Sequence, residues 1–244
     1  MSPRVSVIIV NLNGRAMLVD CLRSLWRQEY ADFEVVVVDN GSTDGSMEFL
    51  GSVSDERLMA VPLPVNRGFA GGCNAGIHAA TGEYIATLNN DAQPEPGWLG
   101  ALVSVLDEDS ATGMCASKIL FAGDRRRIDK VGHLIYMDGL NHGRGSGEMD
   151  SGQFDTVEEV LFPDAAAALY RREMLDQIGL FDEQFFAYGD DADLGLRGRI
   201  AGWNCIYVPT ALVYHIHSAT AGEFSALKAF LIERNRIWVA IKLF

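Results

Sequence analysis

Three short stretches hold residues whose types and spacing can do chemistry. "LNNDAQPEPGW" places Asn89, Asn90 and Asp91 directly after an apolar, β-friendly run at residues 84–88, with two prolines behind them. A divalent ion such as Mg2+ or Mn2+ takes oxygen ligands, commonly one or two carboxylates, and substrate phosphates complete its shell. Asp91 suits that use, while Asn89 and Asn90 can supply neutral oxygens or bond sugar hydroxyls. An Asx turn ahead of Pro94 explains the same residues equally well. Further on, "FDEQFFAYGDDADLGLRGRIAGW" stacks Asp190, Asp191 and Asp193 at the start of a helical segment. Acids favour the first helical turn, and Asp193 stands four residues before Arg197. Yet Phe185, Phe186 and Tyr188 precede that turn, and adjacent carboxylates in a partly desolvated place repel. One of them can then be held at a raised pKa as a base. "VYHIHSATAG" offers His215 and His217, competent Mn2+ ligands if Asp91 is near, although a lone histidine is more often structural.

A second group of residues suits a nucleotide. The first apolar run ends in "VNLNG" and the second in "VDNGSTDGS", which puts Asn11, Asn13, Asp39 and Asn40 at strand ends. In an open α/β sheet, ligands bind beyond the carboxyl ends of the strands. An Asp there can accept from a pyrimidine ring NH or from ribose hydroxyls, or it can simply cap the turn before the next helix. "VNRGFAGGCNAGIHAATG" adds a glycine-rich helix start where Gly68, Gly71 and Gly72 allow close backbone approach and Arg67 can neutralise a diphosphate. Tight helix–sheet packing is the competing explanation. Neither GxGxxG after the first strand nor GxxxxGK[ST] occurs, which argues against a nicotinamide enzyme and a P-loop.

The elements that must position these groups follow from patterning. Apolar, β-rich runs at residues 5–10, 34–39, 58–63, 84–88 and 113–119 predict strands. Helices are predicted over 15–28, 46–50, 71–80 and 98–106. Strands alternating with helices over short loops predict an α/β, doubly wound, mostly parallel sheet with helices on both faces. Residues 122–155 are rich in glycine and charge, only 131–137 look strand-like, and the segment reads as a long, partly mobile loop or hairpin beside the site. Its glycines at 143, 145 and 147 lack the flanking strand and helix of a dinucleotide loop. Regular structure returns at 165–171, followed by helices at 172–178 and 190–201, the first stopped by Gly179. A strand at 204–208, a polar loop at 213–220 and a closing helix at 224–244 complete the irregular second half.

Composition excludes several classes. The 244 residues carry 20 basic and 33 acidic side chains, a net charge of −13, so no basic footprint for nucleic acid is present. The four cysteines are far apart and read as buried small hydrophobes of a reducing compartment. No run of eighteen apolar residues or secretory leader is present, and the protein reads as cytoplasmic. Residues 224–244 carry Lys228, Arg234, Arg236 and Lys242 against Glu233, with apolar residues between. Such a basic amphipathic helix can lie peripherally on the inner face of a membrane, form a homo-oligomer contact, or pack on its own domain.

Seven stretches in order resemble the family 2 glycosyltransferases of GT-A fold, especially the bacterial rhamnosyltransferase-like branch: "VSVIIVNLNG", "VVVVDNGSTDGS", "NRGFAGGCNAGI", "YIATLNNDAQPEPGWL", "FDEQFFAYGDDADLGLRGRIAGW", "VYHIHSATAG" and "ERNRIWVAIK". The resemblance implies one GT-A-like catalytic domain over 1–244: a nucleotide-sugar half at 1–121, an insert at 122–156, an acceptor-side half at 157–223 and a terminal helix at 224–244. Relatives usually continue beyond "IKLF", so the resemblance implies a chain that extends further. It also implies that Asp39 meets the nucleobase with Asn11, Asn13 and Asn40 beside it, and that Arg67 and Gly68 lie near ribose and diphosphate. "NND" stands where the family has Asp-X-Asp, so Asp91 is its metal-binding acid and Asn89 departs from the pattern. Asp190–Asp191 stands for Glu-Asp, its second acid the base, and His215 or His217 for a later metal ligand. The implied reaction is metal-dependent, inverting sugar transfer from a dTDP- or UDP-sugar, dTDP-rhamnose among them, to a glycan or lipid-linked acceptor in cell-surface polysaccharide synthesis. A nucleotidyltransferase and a catalytically silent nucleotide-sugar-binding module are the competing classes.

Overall fold

The computed structural model describes residues 2–135, 141–216 and 225–243. Strand β1 (Val5–Asn11) is the β-branched run that opens the chain, and it is buried on both faces. Val5, Val7 and Ile9 pack into one core cluster, while Ile8 faces a second across the sheet. This is the period-two alternation of a strand covered on both sides. The same logic builds β2 (Phe33–Asp39) and β4 (Tyr84–Leu88), which flank β1 in parallel, and β3 (Leu58–Pro62) continues beyond β2.

Helices α1 (Arg15–Leu25), α2 (Ser46–Ser52) and α3 (Gly68–Ala79) connect these strands, and β5 (Ala92–Pro94) and α4 (Trp98–Glu108) follow β4. Leu18, Leu22 and Leu25 of α1 join Trp98, Leu102 and Leu106 of α4 on one face. On the other face α3 lies directly on β1. A Cβ at Gly72 would come within 2.6 Å of Val10, and one at Gly76 within 2.4 Å of Ile8. Tight packing therefore accounts for these two glycines.

Strand β6 (Thr112–Phe121) leads into β7 (Asp124–Lys130), β8 (His133–Ile135), β9 (Asn141–Gly143) and β10 (Glu158–Glu159). Then come β11 (Ala167–Arg171), α5 (Arg172–Ile178), α6 (Asp190–Ile200), β12 (Asn204–His215) and α7 (Ala226–Leu243). The ten-stranded sheet runs β10-β12-β6-β11-β4-β1-β2-β3, with β5 on β12 and β7 on β6. Its parallel pairs are joined by β11, which enters antiparallel to both β4 and β6. The result is the expected α/β sheet with helices on both faces.

Two expectations for the second half are corrected. Of the loop and the hairpin expected at 122–155, the described residues form hairpin structure: β7 pairs antiparallel with β6, and β8 pairs antiparallel with β9. The strand expected at 131–137 is confined, among the described residues, to His133–Ile135. Charge hid β7, because in "DRRRIDK" only Ile128 is apolar, and it is buried with Asp129 while Arg125, Arg126 and Arg127 face solvent. The loop expected at 213–220 begins, among the described residues, as strand. Val213, Tyr214 and His215 extend β12, paired with β6 on one side and β5 on the other. A register shift between Val208 and Leu212 interrupts the apolar pattern there, which is why the strand reads as two pieces in sequence.

Candidate active site

The carboxyl ends of β1, β2 and β4 converge. Asn11 and Asp39 are register partners, and the Asn11 amide donates to Asp39 Oδ1 at 3.3 Å and to Ser46 Oγ at 2.9 Å. Asn90 donates to Asn11 Oδ1 at 2.8 Å, so one buried network ties the three strand ends together. Asp39 Oδ2 accepts the Ser42 N–H at 3.1 Å, the turn-capping use weighed from sequence. Asn13 is exposed, and its side chain accepts the Thr43 N–H at 2.8 Å. Asn40 pins the next loop: it donates to the Gly68 carbonyl at 2.9 Å and accepts the Arg67 N–H at 2.9 Å. Arg67 itself is exposed and pairs with Glu183 at 2.7 Å. Gly68 has φ +74°, and a Cβ there would sit 2.3 Å from the Phe186 carbonyl oxygen.

A second group lies where β4 and β12 end. Asp91 and His215 are both buried, and His215 Nε2 lies 3.1 Å from Asp91 Oδ1. The Asn89 amide is 3.2 Å from the same nitrogen. Behind the ring, Nδ1 meets Asp129 Oδ2 at 2.7 Å. Burial pushes the imidazole down, but the hydrogen bonds and charges of Asp129 and Asp91 outweigh it and raise His215 to about 9. A carboxylate oxygen and an imidazole nitrogen that converge on one point, with a carboxylate orienting the far side of the ring, are a donor set that suits Mn2+ or Mg2+. Asp91 and His215 would hold the ion. His217 lies outside the described residues.

The third group surrounds the start of α6. Asp190 is 3 % exposed, and its Oδ2 has no hydrogen-bond partner among the described residues. Burial and the charge of Asp191 hold its carboxyl well above the ordinary range. Asp191 is less buried, and its Oδ1 accepts the Ala192 N–H at 2.8 Å. Burial also raises Asp191, while His133 and Lys130 pull the other way. The helix N-terminus favours the charged form of both. Asp193, by contrast, pairs with Arg197 at 2.8 Å and with Lys242 at 2.6 Å, and these contacts tie α6 to its surroundings.

The turn before α6 is held in an uncommon conformation. Phe186 and Tyr188 have φ of 66° and 67°, the left-handed region that L side chains avoid. Asn235 of α7 donates to the carbonyls of Phe185, Ala187 and Tyr188 at 3.0, 2.8 and 2.6 Å. Arg234 adds bonds to the Gln184 and Phe185 carbonyls, and the Ala70 N–H reaches the Phe186 carbonyl at 3.3 Å. The terminal helix thus braces the turn that presents Asp190 and Asp191.

Sequence reasoning missed four residues here. Asp129 and Lys130 stand on β7, His133 begins β8, and Asp164 precedes β11. The signal for the first three was Asp-Lys-Val-Gly-His, polar groups interleaved with Val131 in a segment read as loop. The signal for Asp164 was a single acid at the mouth of the small apolar run "AAAAL".

Residues 6–179 match the sequence profile of Glycosyl transferase family 2. The chain belongs to that family. The chain is 30% identical over 234 residues to an uncharacterized protein of Sinorhizobium fredii, covering 91% of this chain and 25% of that one. It is 28% identical over 229 residues to the O-antigen biosynthesis protein RfbC of Myxococcus xanthus, covering 90% of this chain and 18% of the relative. The chain therefore spans a quarter or less of the length of these two relatives. Among solved structures, a mannosyltransferase of Pyrobaculum calidifontis in complex with GDP-Man and Mn2+ superposes with a TM-score of 0.70 at 21% identity. That match covers 99% of this chain and 65% of the other, and it establishes the GT-A-type glycosyltransferase fold.

Proposed function

We propose that the chain transfers a sugar, with inversion, from a nucleotide-diphospho-sugar to a glycan or lipid-linked acceptor in cell-surface polysaccharide synthesis. The observation that carries this reading is the buried Asp91–His215 pair, Nε2 and Oδ1 3.1 Å apart, at the carboxyl end of the sheet. Family membership supports the transfer, and the ordered motifs of the rhamnosyltransferase-like branch favour a dTDP- or UDP-sugar, with dTDP-rhamnose the first donor to test. In this reading residues 1–121 bind the donor, 122–156 flank the site, 157–223 carry the acceptor side and 224–244 brace it.

Asp191 takes the proton of the acceptor hydroxyl as that oxygen bonds to the anomeric carbon and the bond to the donor diphosphate breaks. Its raised pKa suits a base that must accept a proton near neutral pH. Asp190 is the buried neighbour whose charge, when present, strengthens that basicity. Asp39, Asn11, Asn13 and Asn40 line the nucleobase end, Arg67 and the Gly68 backbone face ribose and diphosphate, and Asn89 and Asn90 bond sugar hydroxyls. When bound, a divalent cation (Mn2+ or Mg2+) supplies positive charge against the departing diphosphate.

Replacing Asp191 by Asn should abolish transfer, measured over a panel of dTDP-, UDP- and GDP-sugars with Mn2+, while donor affinity stays within about twofold. Unchanged turnover would overturn the mechanism.

For α7 we favour a peripheral membrane or subunit contact through its outer face. Leu227, Phe230, Ile237 and Ile241 are 53–77% exposed there, whereas Arg234 and Lys242 turn inward to the domain. The support is thus apolar rather than basic. No helix among the described residues is long and apolar enough to cross a membrane. Flotation with liposomes tests the contact, and a chain that stays at the bottom of the gradient at every lipid composition counts against it.

A further inference from the structure

Asp191 is not held by its own helix alone. Three segments that are distant in sequence converge on it: the end of β7, the start of β8 and the loop before β11. His133 Nε2 lies 3.0 Å from Asp164 Oδ2 and 3.8 Å from Asp191 Oδ2. Lys130 Nζ pairs with the same Asp164 oxygen. Asp164 Oδ1 accepts the Ala166 N–H at 2.8 Å, so both of its oxygens are used. The His133 ring is stacked on Phe162, centroids 5.0 Å apart and planes within 10°, and the His133 N–H donates to the Phe162 carbonyl at 3.0 Å. His133 is 4% and Asp164 8% exposed. A fixed ring, a saturated carboxylate and a largely buried ammonium thus stand in line behind one side of Asp191.

Two simpler uses of this cluster fit less well. His133, Asp164 and Asp191 could hold a metal, since their ligand atoms lie within 4.8 Å of one another. However, the Lys130 ammonium already neutralises Asp164 and would repel a divalent ion beside it. A purely structural ion pair would need only Lys130 and Asp164; it leaves unexplained why a stacked histidine links the pair to the least buried acid of the group.

We propose that Lys130, Asp164 and His133 form a positioning array that orients the Asp191 carboxylate and keeps it ionised for proton abstraction, a role that rests on Asp191 being the base. The charges around Asp191 explain the need. Asp190 adjoins it on α6 and Asp164 faces it from the loop before β11, while Asp193, two residues on, is neutralised by Arg197 and Lys242. Tyr170 of β11 is the nearby phenol, held neutral by burial. Against Asp190 and Asp164, among the described residues, stand Lys130 and His133. Burial and the Asp164 carboxylate push Asp191 toward its protonated, inactive form, and the His133 imidazole and the Lys130 ammonium oppose that push. Lys130 reaches Asp191 through Asp164 and His133 rather than by contact. It is a positioning residue.

The test reads the carboxyl directly and needs no knowledge of the donor. The full chain is labelled with 13C-carboxyl aspartate, the Asp191 resonance is assigned by its loss in Asp191→Asn, and its midpoint is measured by NMR titration. Lys130→Met should move the midpoint up by at least about one pH unit. Lys130→Arg should restore it. His133→Phe, which keeps the ring stacked on Phe162 but removes Nε2, should move it in the same direction as Lys130→Met. If Lys130→Met does not fold, His133→Phe alone decides. An Asp191 midpoint left in place by the folded variants overturns the array. Failure of the base assignment is separate: an upward shift together with full sugar transfer by Asp191→Asn would keep the array's electrostatics and remove its role in catalysis.

Discussion

At the scale of single residues, neighbours in sequence meet opposite fates. Asp190 is sunk in the core with an oxygen unpartnered among the described residues, and its raised pKa has a consequence for stability. Above the ordinary carboxylate range near pH 4, the native state retains a proton that the unfolded chain has lost. Stability therefore falls as pH rises from about 4 toward the native pKa. Asp190→Asn removes that pH-dependent loss and should raise Tm at pH 8. The gain should shrink at pH 5; equal gains at both pH values would contradict the linkage. Asp129 acts through His215, whose Nδ1 it holds at 2.7 Å. Asp129→Asn should weaken Mn2+ binding by about 10–100-fold, read by electron paramagnetic resonance of free Mn2+. Affinity unchanged in that titration would leave Asp129 a purely structural acid.

At the scale of elements, what sequence reveals depends on how an element is stabilised. β1, β2 and β4 are legible because burial on both faces demands continuous apolar runs, and their ends deliver Asn11, Asp39 and Asp91 to the expected place. β7 is not legible, since its backbone pairs with β6 while its buried acid and lysine are satisfied by partners remote in sequence. The residues at 213–215 were hidden because a histidine and a tyrosine, read locally, look like loop. Patterning also could not reveal that α7 has a structural duty at the site. Asn235 satisfies three carbonyls of a turn that contains two left-handed, non-glycine residues. Asn235→Ala takes this donor from the Ala187 and Tyr188 carbonyls, while Phe185 keeps Arg234, and should cost about 1–3 kcal/mol. Turnover should fall more than donor affinity, because the turn carries Asp190 and Asp191 rather than the nucleobase end. A variant that loses stability yet keeps its kcat would confine Asn235 to folding.

At the scale of the whole molecule, the two halves of the site are joined by consecutive residues of one strand. Asp129 reaches the Asp91–His215 pair and Lys130 reaches Asp164, as adjacent side chains on opposite faces of β7 can do. The molecule also carries a net charge of −13, so an anionic diphosphate is repelled at long range and must be captured by local groups. Asp91 and His215 alone are a sparse ligand set for a divalent ion, and Asn89 adds no charge. Cation and donor should therefore each bind weakly alone and strongly together, the diphosphate completing the shell. Thermal denaturation measures this directly, because a ligand at about 100 times its Kd stabilises by about 2.7 kcal/mol, or roughly 5–10 °C for a chain of this size. Mn2+ alone and the cognate nucleotide-sugar alone should each give a small shift. Both together should exceed the sum, and Asp91→Asn should abolish the excess while preserving the small nucleotide shift. Strictly additive shifts in the wild type would mean that the ion and the donor do not share a site.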